Sequence, residues 1–288
     1  MIKAIITDVD GVIVGTKHGI NSPLPSKEII KKLKELNKRG IPIILCTGKP
    51  SYAIEKIILA AELDNPHITD AGAYIYHPLQ NKIIKEHSIP TNLVKRIAKA
   101  CLDENIYLEV QEAKNYYVQK NQIQPLTEKR VVLLQRKPMI VDSLLDIIEK
   151  KKIIKMLPFI NDISEKQRIE KILSPFADET HTFWSTIPAM LPAWTKVVTV
   201  KGVSKYHASQ EVLDYLNLSF EECLGIGDLP SDWLFIKHCR YGGIVGDADQ
   251  EFKRNVMSKG EGNYFLGKSV DEDGFLQILD YFKLSLRS

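Results

Sequence analysis

Asp8-Val9-Asp10-Gly11 follows directly on the apolar run Ile2-Lys3-Ala4-Ile5-Ile6-Thr7. No other stretch restricts the chain as much. Two carboxylates two residues apart, at the end of a buried strand, are costly: burial disfavours the charged form and a second charge nearby adds repulsion. Three arrangements relieve the cost. A metal cation lies between the carboxylates, the pair shares a proton, or the strand ends in a solvated Asx-rich turn. The first two point to chemistry and the third to none.

The surroundings read as strand alternating with helix. Ile2 to Thr7 is a buried strand. Ser26 caps a helix whose Ile29, Leu33 and Leu36 share a face and which Gly40 stops. Ile41 to Cys46 is a second apolar strand ended by Thr47-Gly48, Ser51 to Leu63 a helix, and Ile68 the start of a third strand. This order predicts a parallel sheet covered on both faces, with ligands at the carboxyl ends of its strands. From about Pro90 the pattern changes to a helix followed by paired strands: Thr91 to Glu104, then Tyr107 to Gln111 and Tyr116 to Gln119. A further strand is expected over Val131 to Gln135, a helix over Asp142 to Lys150, and strands near Thr180 to Trp184 and Lys196 to Val200. Trp184, Trp194, Tyr116 and Tyr117 in this region are read as packing residues. Strand and helix alternation resumes at Ser204 and continues through Cys223 to Gly227.

Gly225-Ile226-Gly227-Asp228-Leu229-Pro230-Ser231-Asp232 forms a second acidic segment behind a strand. A dinucleotide loop fits it poorly, because Asp228 aims a carboxylate where a pyrophosphate would lie and Pro230 is expected to disturb the helix start. Asp228 and Asp232 instead supply hard oxygen donors of the kind Mg²⁺ prefers. The alternative is an Asx turn in which Ser231 or Asp232 caps the next helix.

Asp-x-Asp-Gly, then Thr47-Gly48, then Gly202-Val203-Ser204-Lys205, then Gly-Asp-x-x-Ser-Asp form an ordered set. The set resembles the haloacid dehalogenase-like phosphohydrolases, in particular the large-cap, Cof-like and sucrose-phosphatase-like branch. The resemblance covers nearly the whole chain. It implies an α/β fold: a Rossmann-like parallel-sheet core from residues 1–87 and 200–288, and an inserted α+β cap domain over 88–199. By the same resemblance Asp8 is the nucleophile. Asp10 is the general acid and then the base, its carbonyl also on the metal. Thr47 holds a phosphoryl oxygen, Gly48 and Lys49 contact substrate, and Lys205 holds the phosphate. Mg²⁺ is held by Asp8, Asp10, Asp228 and Asp232. Asp247-Ala248 matches the Asn-Ala position of the family. The chain departs from the usual pattern at Val12, Lys49, Asp70, Tyr206 and Ser231. These changes touch substrate identity and metal affinity rather than the reaction class.

The resemblance implies a Mg²⁺-dependent phosphatase acting on a small phosphorylated metabolite. A sugar phosphomutase on the same fold and a catalytically silent binding module are the competing readings. With 39 basic and 36 acidic residues, a net +3, the chain is too balanced to argue for nucleic acid or an anionic membrane. No run reaches the ~18 apolar residues of a membrane span. Four scattered cysteines without a C-x-x-C pair suggest free thiols, and a cytoplasmic monomer or homodimer is expected.

Overall fold

The computed structural model describes residues 1–186 and 190–284. In chain order its elements begin with β1 (Ala4–Thr7), α1 (Lys27–Lys38), β2 (Ile43–Leu45), α2 (Ser51–Ala61), β3 (His67–Thr69), β4 (Tyr74–His77) and β5 (Lys82–Glu86). Then come α3 (Thr91–Asp103), β6 (Tyr107–Gln111), β7 (Tyr116–Gln119), α4 (Pro125–Leu134), β8 (Met139–Val141) and α5 (Leu144–Lys150). They are followed by β9 (Lys155–Ile160), α6 (Lys166–Leu173), β10 (Thr180–Ser185) and β11 (Trp194–Val200). The chain closes with α7 (Lys205–Leu216), β12 (Cys223–Gly227), α8 (Pro230–Ile236), β13 (Tyr241–Ile244), α9 (Gln250–Met257), β14 (Tyr264–Leu266) and α10 (Gly274–Tyr281). Two compact units result. One comprises Met1–Gly48, Ile54–Ile84 and Lys205–Ser288, the other Lys49–Ala53 and Lys85–Ser204.

The first unit is built on a five-stranded sheet of order β14-β13-β12-β1-β2, parallel throughout. β1 lies inside the sheet and is buried at all four positions, which is why its sequence is continuously apolar up to Thr7. α1 starts where Ser26 Oγ accepts the Ile29 N–H at 3.3 Å, and it buries Ile29, Leu33 and Leu36 on one face. The third strand departs from expectation. β3 pairs antiparallel with β4 in a small sheet of order β3-β4-β5 and meets β2's extension through one parallel bridge, Cys46 to Ile68. Asp70 and Ala71 take left-handed φ values of 53° and 60°, so the chain turns back at once instead of crossing over through a helix.

The second unit carries a six-stranded sheet of order β10-β11-β9-β6-β7-β8. It is antiparallel except for the parallel pair β7 and β8. One face, with Leu108, Val110, Tyr117, Met156, Ile160 and Val198, forms a core with residues of α3, α5 and α6. Trp184 and Trp194 pack against this core half-buried, and Tyr116 is fully buried. The strand expected over Val131 to Gln135 is instead the end of α4. Pro125 at the first helical position and reciprocal capping between Gln124 and Thr127 start that helix, and Leu126, Arg130 and Leu134 recur on its buried side. Its β-branched Val132 faces outward, so β-propensity is overridden by the four-residue repeat. Arg130 reaches Glu109 on the opposite face of the sheet with two nitrogens, at 2.9–3.2 Å. Among the described residues no helix is long and apolar enough to cross a membrane. All four cysteines are buried and free.

Candidate active site

Strand register gathers the acidic segments. Thr7 is level with Ile226 on β12 and with Leu45 on β2, so Asp8, Asp228 and Thr47 all emerge at one sheet edge. That edge is the carboxyl end of the parallel strands, where an α/β sheet leaves its crevice. Lys205 enters as the first residue of α7, and Asp232 sits in the first turn of α8. Pro230 does not disturb this helix. It occupies the first helical position, where an absent N–H costs nothing.

The side chains form a continuous polar cluster. The Lys205 ammonium lies 3.0 Å from Asp8 Oδ2 and 2.6 Å from Asp232 Oδ1. Asp8 Oδ1 accepts the Val9 N–H at 2.7 Å. Asp232 Oδ2 accepts the N–H groups of Asp228 and Leu229, both at 3.1 Å, so it fixes the loop as well as the lysine. Carboxylate oxygens of Asp8, Asp228 and Asp232 lie within 4.8 Å of one another. Gly11 is required beside them: with φ at +77°, it lies where a Cβ would be 2.2 Å from Asp228 Oδ2.

These charges are out of balance. Burial, opposed by Lys205 and reinforced by Asp232, pushes the Asp8 carboxyl up to about 7. Burial, together with Asp232 and Asp8, holds Asp228 well above the usual carboxylate range. Asp10 is half-buried on the following turn, and its charge adds to the upward push on both. Burial alone would lower Lys205, yet Asp232 and Asp8 outweigh it and keep the ammonium charged. With all three carboxylates ionised, as a bound cation would favour, one ammonium leaves two negative charges. Asp228 Oδ1 is buried without a hydrogen-bond partner. An all-oxygen donor set with a deficit of two positive charges fits a hard divalent cation such as Mg²⁺.

The other expected site residues fall as follows. Thr47 is buried, with its N–H on Ile68 O at 2.9 Å and its carbonyl accepting from Ala71 at 3.1 Å. Gly48 is exposed on the same turn. Lys49 belongs to the second compact unit. Val12, where the family pattern offers a hydroxyl, is buried in the apolar core of the first unit. Tyr206 stacks on His238 and Phe220 with centroids 4.3 and 5.7 Å apart. Ser209, which belongs to none of the sequence motifs, donates its hydroxyl to the Lys205 carbonyl at 2.7 Å and lies 3.9 Å from Cys46 Sγ. Its helical spacing of four from Lys205 was the available signal. Burial pushes the Cys46 thiol up to about 12, which removes it as a nucleophile.

Known proteins compare as follows. A family model for haloacid dehalogenase-like hydrolases matches residues 5–279. A phosphoglycolate phosphatase of Staphylothermus marinus is 22% identical over 256 residues, 89% of this chain and 90% of its own length. An HMP-PP phosphatase of Escherichia coli K12 is 20% identical over 261 residues, 89% of this chain and 88% of its own. Among solved structures, a HAD subclass IIB sugar phosphatase superposes with a TM-score of 0.80 at 24% identity, over 98% of this chain and 100% of the other. A haloacid dehalogenase-like hydrolase from Bacteroides thetaiotaomicron gives 0.82 at 19% identity, over 99% and 100%. At such identities the solved structures establish the fold.

Proposed function

We propose, from the premise that the chain belongs to the haloacid dehalogenase-like hydrolases, that it is a Mg²⁺-dependent phosphatase of a small phosphorylated metabolite, a sugar phosphate or a similar ester. The class of enzyme, a phosphoric monoester hydrolase, agrees with the phosphatase names of its relatives. The observation that carries the reading is the cluster of buried Asp8 and Asp232 with half-buried Asp228, held by Lys205 through Asp8 and Asp232 and, when all three are ionised, two positive charges short of neutrality.

Asp8 is the nucleophile. Its carboxylate is held in one orientation by the Val9 N–H and by Lys205. One of its oxygens bonds to phosphorus as the bond from phosphorus to the leaving oxygen breaks, and Asp10 passes a proton to that oxygen. Water then attacks phosphorus, Asp10 takes the proton, and the bond from Asp8 to phosphorus breaks to release inorganic phosphate. Lys205 offsets the repulsion between a carboxylate and a phosphate dianion. Thr47 and the Gly48 turn contact phosphoryl oxygens. Asp8, Asp228 and the Asp10 carbonyl would hold Mg²⁺, with Asp232 behind them, and the ion supplies positive charge to phosphoryl oxygens in the transition state. The inserted region expected over 88–199 would serve as a cap that excludes water and selects the leaving group, with Lys49 as a substrate contact. Four buried free thiols fit a reducing compartment, the cytoplasm.

A panel of phosphate esters tests this, on wild type and Asp8→Asn, with Mg²⁺ and with EDTA. Steady phosphate release that requires both Asp8 and Mg²⁺ is the expected result. Hexose phosphate isomers formed without release would replace hydrolysis by mutase chemistry. Activity of Asp8→Asn within tenfold of wild type would remove Asp8 from its role.

A further inference from the structure

We infer that Asp271 is a positioning residue, whose carboxylate clamps the loop carrying Asp10 and ties it to the loop carrying Asp228. The inference rests on the reading of Asp10 as the group that gives and takes the proton.

Asp271 lies in the short 3-10 turn Val270–Glu272, 255 positions from Thr16 along the chain. Its Oδ1 accepts the Thr16 N–H at 3.0 Å and Asn21 Nδ2 at 2.6 Å, and its Oδ2 accepts the Thr16 hydroxyl at 2.6 Å. The Lys17 ammonium donates to the Asp271 carbonyl at 3.3 Å. Asn21 is buried, its Oδ1 accepts the Lys17 N–H at 3.1 Å, and its carbonyl accepts the Gly15 N–H at 2.9 Å. Gly15 is pinned in this nest: a Cβ there would lie 2.1 Å from Asp271 Oδ1.

The clamp begins where the Asp10 loop ends. Val14, the neighbour of Gly15, accepts the Gly11 N–H at 2.8 Å and donates to the Val9 carbonyl at 2.8 Å, closing the turn that presents Asp10. On its other side the clamp leads to the second acidic loop. The Val270 N–H donates to Asp247 Oδ1 at 3.1 Å, and the Asp249 N–H donates to the Asp228 carbonyl at 2.8 Å. Steps of one or two residues thus connect Asp228, Asp249, Asp247, Val270, Asp271 and Thr16. A latch serving stability alone has no need to end on both acidic loops. Thr16 is exposed and Asp271 half-buried, so breaking the clamp opens no cavity in the core. Its loss is felt as looseness in the turn that aims Asp10, and misplacement of about 1 Å there costs up to ~100-fold in rate.

The test compares Asp271→Ala, Asp271→Asn and Thr16→Ala with wild type. It uses p-nitrophenyl phosphate with Mg²⁺ for kinetics, and hydrogen–deuterium exchange of peptides spanning 9–16 in metal-free protein. Asp271→Ala is expected to lower kcat by about 10–100-fold, to leave KM within about threefold, and to speed exchange over 9–16 while peptides from β1 stay unchanged. Asp271→Asn keeps an accepting oxygen and can donate to the Thr16 hydroxyl, so it should restore kcat to within about threefold of wild type. Should Asp271→Ala not fold, Thr16→Ala, which removes one bond from an exposed side chain, is expected to shift the same readouts in the same direction. Unchanged exchange over 9–16, or kcat within twofold in the presence of faster exchange, would overturn the inference. Wild type inactive on every ester would sink the phosphatase reading instead, and exchange would still decide whether the clamp holds the loop.

Discussion

Replacing Lys205 by methionine removes one ammonium and keeps most of the side-chain volume. The charge lies 3.0 Å from Asp8 and 2.6 Å from Asp232. At an effective dielectric of 20 those separations correspond to about 5.5 and 6.4 kcal/mol of attraction. Desolvation of the buried ammonium cancels much of this, and breaking a buried pair from one side costs about 3–5 kcal/mol net. The cost depends on pH in a defined direction. Burial pushes the Asp8 carboxyl up to about 7 against the pull of Lys205. At pH 5 Asp8 already carries a proton, so Lys205 stabilises it little. At pH 8.5 it is ionised and paired, and the variant must leave it charged and alone or protonate it at a cost. The deficit of Lys205→Met therefore grows as pH rises through 7. Asp232 keeps its two backbone N–H donors, so the fold survives. Thermal unfolding of metal-free protein should show a drop of about 10 °C at pH 8.5 and clearly less at pH 5. Turnover should fall by about 10³-fold, the scale of losing one preorganised electrostatic contact. Equal deficits at the two pH values, or no deficit at either, would rule out the coupling of Lys205 to Asp8.

Asp8→Asn should abolish turnover and yet raise the melting temperature of metal-free protein at pH 8, because it deletes a carboxylate that burial disfavours; a lower melting temperature would contradict the charge imbalance. Gly11→Ala combines a left-handed φ with a Cβ 2.2 Å from Asp228 Oδ2, so Mg²⁺-dependent activity should fall at least about tenfold, as steady-state rates would reveal. Burial, with His77 nearby, pushes His67 down to about 3. Below pH 6.5 the unfolded chain then binds a proton that the native state refuses, and stability present above 6.5 is lost on acidification, about 2 kcal/mol at pH 5. Urea unfolding at pH 7 and pH 5 should show this loss shrinking in His67→Gln, and an equal loss in the variant would count against it.

What the sequence made legible was what local order and strand register determine together. Asp8, Thr47 and Asp228 each follow a short apolar strand, and parallel pairing carries such strand ends to one edge whatever their distance along the chain. Lys205 was legible only through the resemblance of Gly202-Val203-Ser204-Lys205 to a family motif, and Asp232 as a second hard oxygen donor in the segment that holds Asp228. Where local signals conflict, reading failed. Val131 and Val132 favour a strand, but reciprocal capping by Gln124 and Thr127 and the repeat of Leu126, Arg130 and Leu134 decide for a helix. The strand β8 carries no alternating burial to announce it, and its Met139 and Ile140 are exposed.

The polar contacts that tune the site obey a different rule. A hydrogen bond from Asn21 or Thr16 to Asp271 leaves no periodicity at either end, since each residue there is a common turn former. The same holds for Asp232, whose sequence neighbourhood suggested a metal ligand or a cap. In the structure it does two jobs, one oxygen on Lys205 and the other on the N–H groups of Asp228 and Leu229. A carboxylate so engaged has little capacity left for a cation, whereas Asp228 keeps a buried oxygen without a partner. On the proposed site the two acids of one short segment would divide the work: Asp228 would face the cation, while Asp232 holds the lysine and the loop. On that division Asp232→Asn should reduce Mg²⁺ affinity less than Asp228→Asn does, because the amide oxygen still accepts the two N–H bonds. Calorimetric Mg²⁺ titration of both variants measures the difference, and the reverse order would assign Asp232 to the metal directly.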